Sequence, residues 1–524
     1  MKNIGLEKLF IIFVCVISFS ILTSLYELNL MAKTQNIASE MVKLNDLKTQ
    51  QKALGWQVIW GGSNDDMGMA ISIDNSDSIY VVGKTDSFGE RYGDIVLLKY
   101  DKVGNLEWQR FWGSKYQDIG IDLAIDNSSN LYVVGGTTNP ENNYYGQIIL
   151  IKYDSNGNLL WSRNLTTNTH DLGVNIVLDS GLNIYIIGLT DSFQYGALIL
   201  GTPIILKFDN NGELLWNITL NDEFTYIREL CVDSCDNVYV NGVILNLTEY
   251  PSHFDFFISK YDKIGNLMWY KELVSSFNNA GLFDMIIDSF DNIYVTGNSF
   301  NNITSKYEIL LMKLNSSGDQ IWNSSFIING FSSFGYHITL DNNSNILIIG
   351  KLNTYWPNDT QFLLECDYSG VMISYETWGE SYMENVNEIA INSLNEVFLV
   401  GEHYPDDNGR YDISILHLGD DTDGDRLSDW KEVNIYITNP ESNDTDNDNL
   451  SDWQEVKIFK TNPNKIDTDA DGFTDYEEIY IYSTDPNNKI LNPNTPLLLI
   501  LSIGLFNTFI ATLFIIKYIL KNKK

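Results

Sequence analysis

Positive charge is scarce in this chain. Its 524 residues contain 33 Lys and Arg against 69 Asp and Glu, which gives a formal net charge of -36 at pH 7. A protein that holds nucleic acid neutralises backbone phosphates with basic side chains. The charge balance therefore argues against a nucleic-acid partner.

Cysteine and histidine are also rare. There are four cysteines, of which Cys15 lies in an apolar N-terminal run and Cys366 stands alone, so a disulfide framework is not supported. The five histidines show no metal-ligand or catalytic spacing. A nucleophile elbow and a phosphate-binding glycine loop are likewise missing. We predict no catalytic residues, and the sequence leaves open whether the chain is an enzyme.

The N-terminal end carries an apolar run. Residues 9–26 are uncharged and follow Lys2 and Lys8. A basic flank before an apolar run is typical of both a cleaved signal peptide and an uncleaved anchor, so residues 1–26 are predicted to be one or the other. Residues 27–54 would then form a linker or a helical stalk.

The C-terminal end carries a longer apolar run. The 20 residues 497–516 are uncharged, and residues 517–524 contain four lysines. At ~1.5 Å per residue, such a helix spans a bilayer core of ~30 Å. The lysines place the tail in the cytoplasm and the bulk of the chain outside the cell. We predict an integral cell-membrane protein with a transmembrane helix; a buried core helix is the alternative.

A phrase of about fifty residues recurs seven times. It consists of an apolar residue and Asp, a polar turn, then a short apolar run with an aromatic residue that ends in Gly. The glycines are Gly83, Gly135, Gly188, Gly242, Gly297, Gly350 and Gly401, at spacings of 52, 53, 54, 55, 53 and 51 residues. Repeats of this length with short strands are typical of propeller blades.

A second phrase follows in each of the first six units. An apolar run leads to Lys-aromatic-Asp, a turn with Gly, and then an aromatic residue, which is Trp108 in the first copy and Tyr375 in the sixth. Each unit therefore reads as four strands, with hairpin turns in which Gly takes a positive φ.

The seventh unit has no fourth strand of its own. Residues 55–61 match residues 106–113 at the fourth-strand position, with Trp56 on Trp108 and Trp60 on Trp112. We predict an all-β seven-bladed propeller over residues 55–419, in which the Trp56–Trp60 strand closes blade seven and hides its edges. The alternative is an open solenoid.

These units resemble the SBBP family of bacterial and archaeal β-propeller repeats over residues 55–419. The resemblance rests on the Asn-apolar-Tyr-Val-apolar-Gly and Lys-Tyr-Asp-x-x-Gly-Asn-Leu-x-Trp phrases. It implies the fold and no single activity, so the repeated Trp, Tyr and Gly are interpreted as packing and turn residues.

Three acidic loops, 23 residues apart, occupy residues 420–489. Counted from its first Asp, each loop has acids at positions 1, 3, 5, 9 and 12 and an apolar residue at position 7. The predicted ligands are Asp421, Asp423, Asp425, Leu427, Asp429 and Glu432; Asp444, Asp446, Asp448, Leu450, Asp452 and Glu455; and Asp467, Asp469, Asp471, Phe473, Asp475 and Glu478. This is the EF-hand spacing, in which position 7 offers its backbone carbonyl and position 12 both carboxylate oxygens. We predict Ca²⁺ as the cofactor.

The loops resemble thrombospondin type 3 repeats and the related calcium loops of microbial surface proteins. They depart from the EF-hand at position 6, where Gly472 fits but Arg426 and Asn449 do not, so the first two sites are expected to be weaker or differently shaped. An acidic solvated linker is the alternative. Without metal the acids of each loop repel one another, so we expect a stalk that is loose until calcium binds.

The loops between the second and third strands of the units differ most between repeats and are rich in aromatic and amide side chains. Such loops suit glycans or extracellular protein partners. We therefore predict a surface binding, adhesion or scaffold protein. The alternative is an extracellular propeller hydrolase, lyase or quinoprotein-like enzyme, which a cluster of acids or histidine on the propeller axis would favour.

Overall fold

The computed structural model describes residues 51–89, 93–139, 144–165, 171–195, 198–220, 225–246, 253–272, 281–353, 360–378, 385–403 and 410–489. Residues 51–420 form one compact unit, and the acidic loops from residue 421 belong to a second. The predicted signal or anchor, residues 27–50 of the predicted linker or helical stalk and the predicted transmembrane helix lie outside the described residues. Residues 51–54, predicted to end that linker or stalk, instead begin the strand that closes the ring, so this boundary was wrong. In the part that is described, no helix has the length and apolarity to cross a bilayer.

The first unit is built from 28 strands. The first four blades contain β2 (Asp66–Ile73), β3 (Ile79–Thr85), β4 (Asp94–Tyr100) and β5 (Leu106–Trp112); β6 (Asp118–Ile125), β7 (Leu131–Asn139), β8 (Tyr144–Tyr153) and β9 (Leu159–Leu165); β10 (Leu172–Leu178), β11 (Ile184–Tyr195), β12 (Leu198–Phe208) and β13 (Leu214–Thr219); and β14 (Thr225–Val232), β15 (Val238–Asn246), β16 (His253–Tyr261) and β17 (Leu267–Glu272).

The other three blades include the strand that precedes all of these. They contain β18 (Gly281–Ile287), β19 (Ile293–Asn301), β20 (Lys306–Leu314) and β21 (Gln320–Phe326); β22 (Ser332–Leu340), β23 (Ile346–Asn353), β24 (Thr360–Cys366) and β25 (Met372–Trp378); and β26 (Asn385–Ile391), β27 (Val397–His403), β28 (Asp412–Asp421) and β1 (Gln51–Trp60). Each blade is an antiparallel meander; blades three and four are further joined by one bridge, Gly201 to Thr225. The all-β seven-bladed propeller is confirmed.

The ring closes through the N-terminal strand. In blade seven the strand order is β1-β28-β27-β26, and the Gln57 side chain donates to Ser414 Oγ at 3.0 Å. Blade seven also reaches blade one, because Asn387 Nδ2 donates to the Gly68 carbonyl at 2.7 Å. These contacts exclude an open solenoid.

The blades pack through their middle strands, because these carry the apolar runs. Every residue of β3 is buried, and the same holds for the apolar residues of β7 and β27. The hairpin after the third strand is held by Asp: in blade one, Asp101 Oδ1 accepts the Asn105 N–H at 2.8 Å, while Gly104 adopts φ +88°. Only glycine adopts that conformation without strain, which explains the recurring Asp-x-x-Gly.

One recurring set of buried charges in the blades is paired. Lys260 Nζ lies 2.9 Å from Asp233 Oδ2 and 4.6 Å from the centre of the Tyr239 ring. The Tyr239 hydroxyl donates to the same carboxylate at 3.1 Å, and Trp269 packs edge-on against the tyrosine. Related Lys, Tyr and Asp groups occur in blades two, three and five. The recurring aromatic residues are thus packing residues of the repeat.

The second unit consists of three loops, each followed by a short helix. The first helix has an α-helical turn, α1 (Asp429–Lys431), which continues as a π-helical segment over Glu432–Tyr436. The other two π-helical segments are Gln454–Phe459 and Glu477–Tyr482. Each segment ends at a residue with positive φ, namely Ile437, Lys460 or Ser483.

Candidate calcium centres and the propeller axis

Each acidic loop gathers its first three aspartates around one point. Oxygen atoms of Asp421, Asp423 and Asp425 lie within 4.8 Å of one another, and the same holds for Asp444, Asp446 and Asp448 and for Asp467, Asp469 and Asp471. Carboxylate oxygens at this density are the donor set that Ca²⁺ prefers. The structure thus brings together positions 1, 3 and 5 of every loop.

Backbone amides fix the shape of each loop. In the second loop, Asp444 Oδ2 accepts the Asn449 N–H at 2.8 Å and Asp448 Oδ1 accepts the Leu450 N–H at 2.7 Å. The residue at position 6 takes a positive φ in all three loops: +82° at Arg426, +78° at Asn449 and +99° at Gly472. Glycine meets this demand without strain and asparagine tolerates it, whereas arginine is strained.

The glutamate at position 12 is the most informative ligand candidate. Glu432, Glu455 and Glu478 are all fully buried. In each, one oxygen accepts a threonine hydroxyl six residues later; Thr461 donates to Glu455 Oε1 at 3.2 Å. The other oxygen, Oε2, is buried without a hydrogen-bond partner in all three. Since a buried carboxylate oxygen without a partner is costly, these residues fit a bound hard cation.

The aspartate at position 9 is used differently. Both oxygens of Asp452 accept bonds from Thr445 at position 2, from the amide at 2.9 Å and the hydroxyl at 2.7 Å. Asp429 and Asp475 hold Thr422 and Thr468 in the same way. This residue clamps the loop, and in an EF-hand position 9 often reaches the metal through water.

Position 7 was predicted for its backbone carbonyl. Leu427 and Leu450 are fully buried there, so their side chains also form the small apolar core of the unit. Phe473 instead packs edge-on against Tyr482, with ring centres 5.2 Å apart.

Crowded carboxylates raise one another's pKa in these loops. Burial and then the charges of Asp446 and Asp448 raise the pKa of Glu455 to about 9. Burial and the neighbouring aspartates raise the pKa of Glu432 to about 8 and that of Asp446 to about 7. Ionising these carboxyl groups at neutral pH is therefore costly, and a bound divalent cation would relieve that cost.

Successive loops are joined by bonds that span 28 residues. Asp425 Oδ2 accepts the backbone N–H of Trp453 at 2.9 Å, and Asp448 Oδ2 accepts that of Tyr476 at 3.3 Å. In the reverse direction, Asn464 Nδ2 donates to the Tyr436 carbonyl at 2.9 Å. The aspartate at position 5 thus serves its own loop and the next one. The sequence analysis did not predict these bonds between loops. Their separation of 28 residues is one 23-residue period plus five positions.

The propeller axis carries a set of polar residues that the sequence did not reveal. The first strand of each blade contacts the first strands of both neighbours, so these strands form the inner ring. One position, just after a bulge in each of them, lines that ring. We call its occupants the axial ring: Ala70, Asp122, Asn175, Glu229, Asp284, His337 and Glu388.

Two axial carboxylates join neighbouring blades. Asp122 Oδ2 accepts the N–H of Ile176 in blade three at 2.8 Å, and its Oδ1 accepts the Leu123 N–H. Asp284 repeats the arrangement with Ile338 in blade six at 2.8 Å. Both oxygens of these two aspartates are thereby occupied, which favours a structural role.

The other two carboxylates keep one oxygen outside these bonds. Glu229 Oε1 accepts the Asn175 side chain at 2.8 Å, and Glu388 Oε2 accepts the Ile71 N–H at 3.2 Å. Burial and the charges of the other ring carboxylates raise the pKa of both glutamates well above the usual range. The charges of Asp122 and Asp284 contribute to the raised pKa of both glutamates, so the four acids lie close enough to interact.

Comparison with known proteins bears on the second unit first. Residues 444–466 and 467–489 each match the family model of the bacterial TSP3 repeat. These two units are TSP3 repeats. The loop that begins at Asp421 lies outside the match but has the same acid spacing, threonine clamp and buried glutamate.

The propeller has only distant relatives among the comparisons. An uncharacterised WD repeat-containing protein of Acanthamoeba polyphaga mimivirus is 23% identical, over 31% of this chain and 16% of that protein. The propeller domain of the Trilobed protease from Pyrococcus furiosus is 10% identical, with a TM-score of 0.42 over 67% of this chain and 93% of that one. A puromycin hydrolase is also 10% identical, with a TM-score of 0.43 over 65% and 50%.

Proposed function

We propose that the protein is a membrane-anchored cell-surface binding or adhesion protein, which displays its propeller on a stalk of TSP3 repeats stiffened by calcium. The bulk of the chain lies outside the cell and the lysine-rich tail lies in the cytoplasm. The ligand is an extracellular protein or glycan.

One observation carries the calcium part of this proposal. Each of the three repeats buries one glutamate oxygen without a hydrogen-bond partner, at the same position of the loop and beside three converging aspartates. An acidic solvated linker would expose its charges, because burying an unpaired carboxylate costs free energy. Calcium supplies the missing positive charge when bound, while Thr438, Thr461 and Thr484 orient the glutamates.

The membrane part is supported by the sequence alone. Residues 497–516 are uncharged and precede a basic tail, which is the pattern of a single transmembrane helix with a cytoplasmic end. Flotation of the full chain with liposomes tests it. In a chain that lacks the apolar N-terminal run at residues 1–26, replacing Leu505 and Ile510 by lysine should abolish flotation, whereas recovery of that double variant with the vesicles would contradict the anchor.

A calcium titration tests the stalk. Glu455→Gln keeps the size of the side chain but removes the charge of a ligand, so the midpoint of the calcium-induced change in circular dichroism should rise at least about tenfold. Glu441→Gln removes a charge from an exposed position of the same unit and is the matched control. Equal midpoints for the two variants would contradict the assignment of Glu455.

The axial ring favours a second candidate, an extracellular enzyme acting on the propeller axis. His337 Nδ1 lies 3.6 Å from Asp284 Oδ2, and Glu229 and Glu388 have raised pKa values, as acids and bases in catalysis often do. The blade-to-blade bonds of Asp122 and Asp284 weigh against it. Turnover of a glycoside, ester or peptide by the full chain that Glu388→Gln abolishes would establish the enzyme.

A further inference from the structure

A cavity of about 290 Å³ opens beside the axial ring, between the inner strands of blades four, six and seven. Its wall includes Arg228 from β14, Tyr336 and His337 from β22, Lys351 from β23 and Gln361 from β24. Pockets for small ligands are typically ~300–1,000 Å³, so this one has room for a single ring-sized group. It lies at the end of the blades where the variable second-to-third loops begin.

The wall of this cavity departs from the repeat. Gln361 pairs across the sheet with Lys351, which follows the repeat glycine Gly350. In every other blade the residue at the position of Gln361 is apolar. Its counterparts are Ile95, Ile148, Pro203, Phe256, Ile309 and Ile413. Gln361 is nevertheless almost completely buried. A buried amide at a position where four other blades have isoleucine departs from the local rule of the repeat, and such departures concentrate at functional sites.

Two further wall residues depart in the same way. Arg228 immediately precedes the axial-ring position of blade four, where blades one to three have Met69, Ile121 and Val174. Asn385 pairs with Glu402 across the sheet, and its side-chain amide donates to the Glu402 carboxylate at 3.0 Å. The equivalent residue in blade two is Ile119. Polar substitutions from three blades thus meet in one cavity.

The arginine is held in place by aromatic rings. Its guanidinium carbon lies 4.7 Å from the centre of the Phe283 ring, and Phe283 packs edge-on against Tyr336 at 5.4 Å. A guanidinium fixed in this way is organised to meet a planar anion with two parallel hydrogen bonds. Lys351 adds a second positive charge to the same wall.

From these contacts we infer that the cavity is a binding site for a carboxylate-bearing sugar of the hexuronate class. The carboxylate lies against Arg228 and Lys351, and the amides of Gln361 and Asn385 face the hydroxyl groups. Tyr336 offers an aromatic surface to the C–H face of the ring. The axial carboxylates just below disfavour a doubly charged phosphate or sulfate more than a singly charged carboxylate.

This inference rests on the proposed binding role of the propeller, and it names one ligand class for it. The two can fail separately, since protein or glycan capture by the variable loops requires no occupant in this cavity. Calcium must be removed from the sample, because a sugar acid can also coordinate calcium in the TSP3 repeats.

The test is a calorimetric titration of the full chain in detergent, after dialysis against EGTA and then against EGTA-free buffer. D-Glucuronate is the probe; D-glucose, which lacks the carboxylate, and inorganic phosphate are the comparators. We expect glucuronate to bind and glucose to bind at least about tenfold more weakly, since a charge-assisted pair contributes that much. Phosphate should also bind more weakly than glucuronate, because the axial carboxylates repel its second negative charge and it lacks the sugar hydroxyl groups.

Variants locate the site. Arg228→Met, Lys351→Met and Gln361→Ile should each weaken glucuronate binding, the first two by about tenfold or more. Lys84→Met is the matched control, because Lys84 occupies the position of Lys351 in blade one and pairs with Asp86 at 2.8 Å. Gln361→Ile installs the residue that four of the other blades have, and an unchanged melting temperature of the propeller would show that loss of binding there is not due to unfolding. The inference is overturned if glucuronate does not bind, if glucose or phosphate binds as tightly, or if Lys84→Met weakens binding as much as Lys351→Met.

Discussion

The propeller and the TSP3 repeats bury charge in opposite ways. In the blades a recurring buried aspartate has its own cation, as Asp179 has Lys207 at 3.2 Å, and the axial carboxylates Asp122 and Asp284 each accept two backbone N–H groups. In the repeats the buried carboxylates gather around one another, and Glu455 Oε2 has no partner. A protein interior tolerates ionised groups only when they are compensated. The propeller compensates these buried acids with its own residues, whereas we expect the repeats to take their compensation from solution.

Removal of calcium should separate the two regions most sharply. In hydrogen exchange on the full chain, EDTA should remove the amide protection of residues 421–489 by several orders of magnitude, because repulsion within each loop is then uncompensated. Residues 51–420 should keep their protection. Equal loss in both regions, or in neither, would break the comparison.

Removal of the Trp56 side chain from the closing strand should destabilise the propeller and leave the repeats unaffected. Trp56 in β1 is buried against Phe398 and stacks on His417 with ring centres 5.3 Å apart. Trp56→Ala should destabilise the propeller by about 3–5 kcal/mol. The measurement is chemical denaturation followed by a probe in the blades, and the calcium midpoint of the repeats is the internal control. A shift in that midpoint would mean that the regions are coupled.

The pH dependence of the metal-free repeats should be unusual in sign. Burial and like charges raise the pKa of Glu455 to about 9, that of Glu432 to about 8 and that of Asp448 to about 6. A carboxyl group whose pKa is raised in the folded state does not lower the free energy of unfolding below its unfolded-state pKa, near 4. As the pH rises from there toward 6–9, the free energy of unfolding falls. Helical circular dichroism in EDTA should therefore be stronger at pH 5 than at pH 8. The Asp-x-x-Gly turns of the propeller should respond in the other direction, since hydrogen bonds from Asn105 and its neighbours lower the pKa of Asp101.

Relief of strain in the first loop should give the smallest effect. Arg426 holds φ +82° where Gly472 sits in the third loop. Arg426→Gly should therefore stabilise the calcium-bound first loop by about 1 kcal/mol, less the cation–π contact with Trp453 at 5.2 Å. Thermal denaturation in calcium measures the balance. Gly472→Ala should cost a similar amount in the third loop, and a stabilising Gly472→Ala would contradict the argument.

Sequence periodicity was sufficient for the architecture. Seven glycines at near-constant spacing, together with the match of residues 55–61 to a fourth strand, predicted both the number of blades and the strand that closes the ring. These signals are readable because turns and closure demand the same residue types in every blade.

The axial ring could not be predicted from the sequence, because its position does not require one residue type in every blade. The axial-ring position holds five different residue types over the seven blades, and the bulge before it interrupts the alternation of buried and exposed residues. In the repeats, spacing identified the acids but not their division of labour, since Asp452 clamps Thr445 while Glu455 keeps an oxygen for a cation. The predicted membrane helix and most of the variable loops lie outside the described residues, so these stay predictions.

The joint between repeats has a consequence for how such an array is lengthened and where it opens. Asp425 and Asp448 each give their second oxygen to the next unit, but Asp471 has no further copy of the motif after it in the sequence, and its Oδ2 is buried without a partner. If one more 23-residue repeat were inserted after the third, Asp471 Oδ2 could accept its backbone N–H as Asp425 and Asp448 do now. Among the described residues, the third unit is joined to another repeat on one side only, so fraying should begin there and travel toward the first.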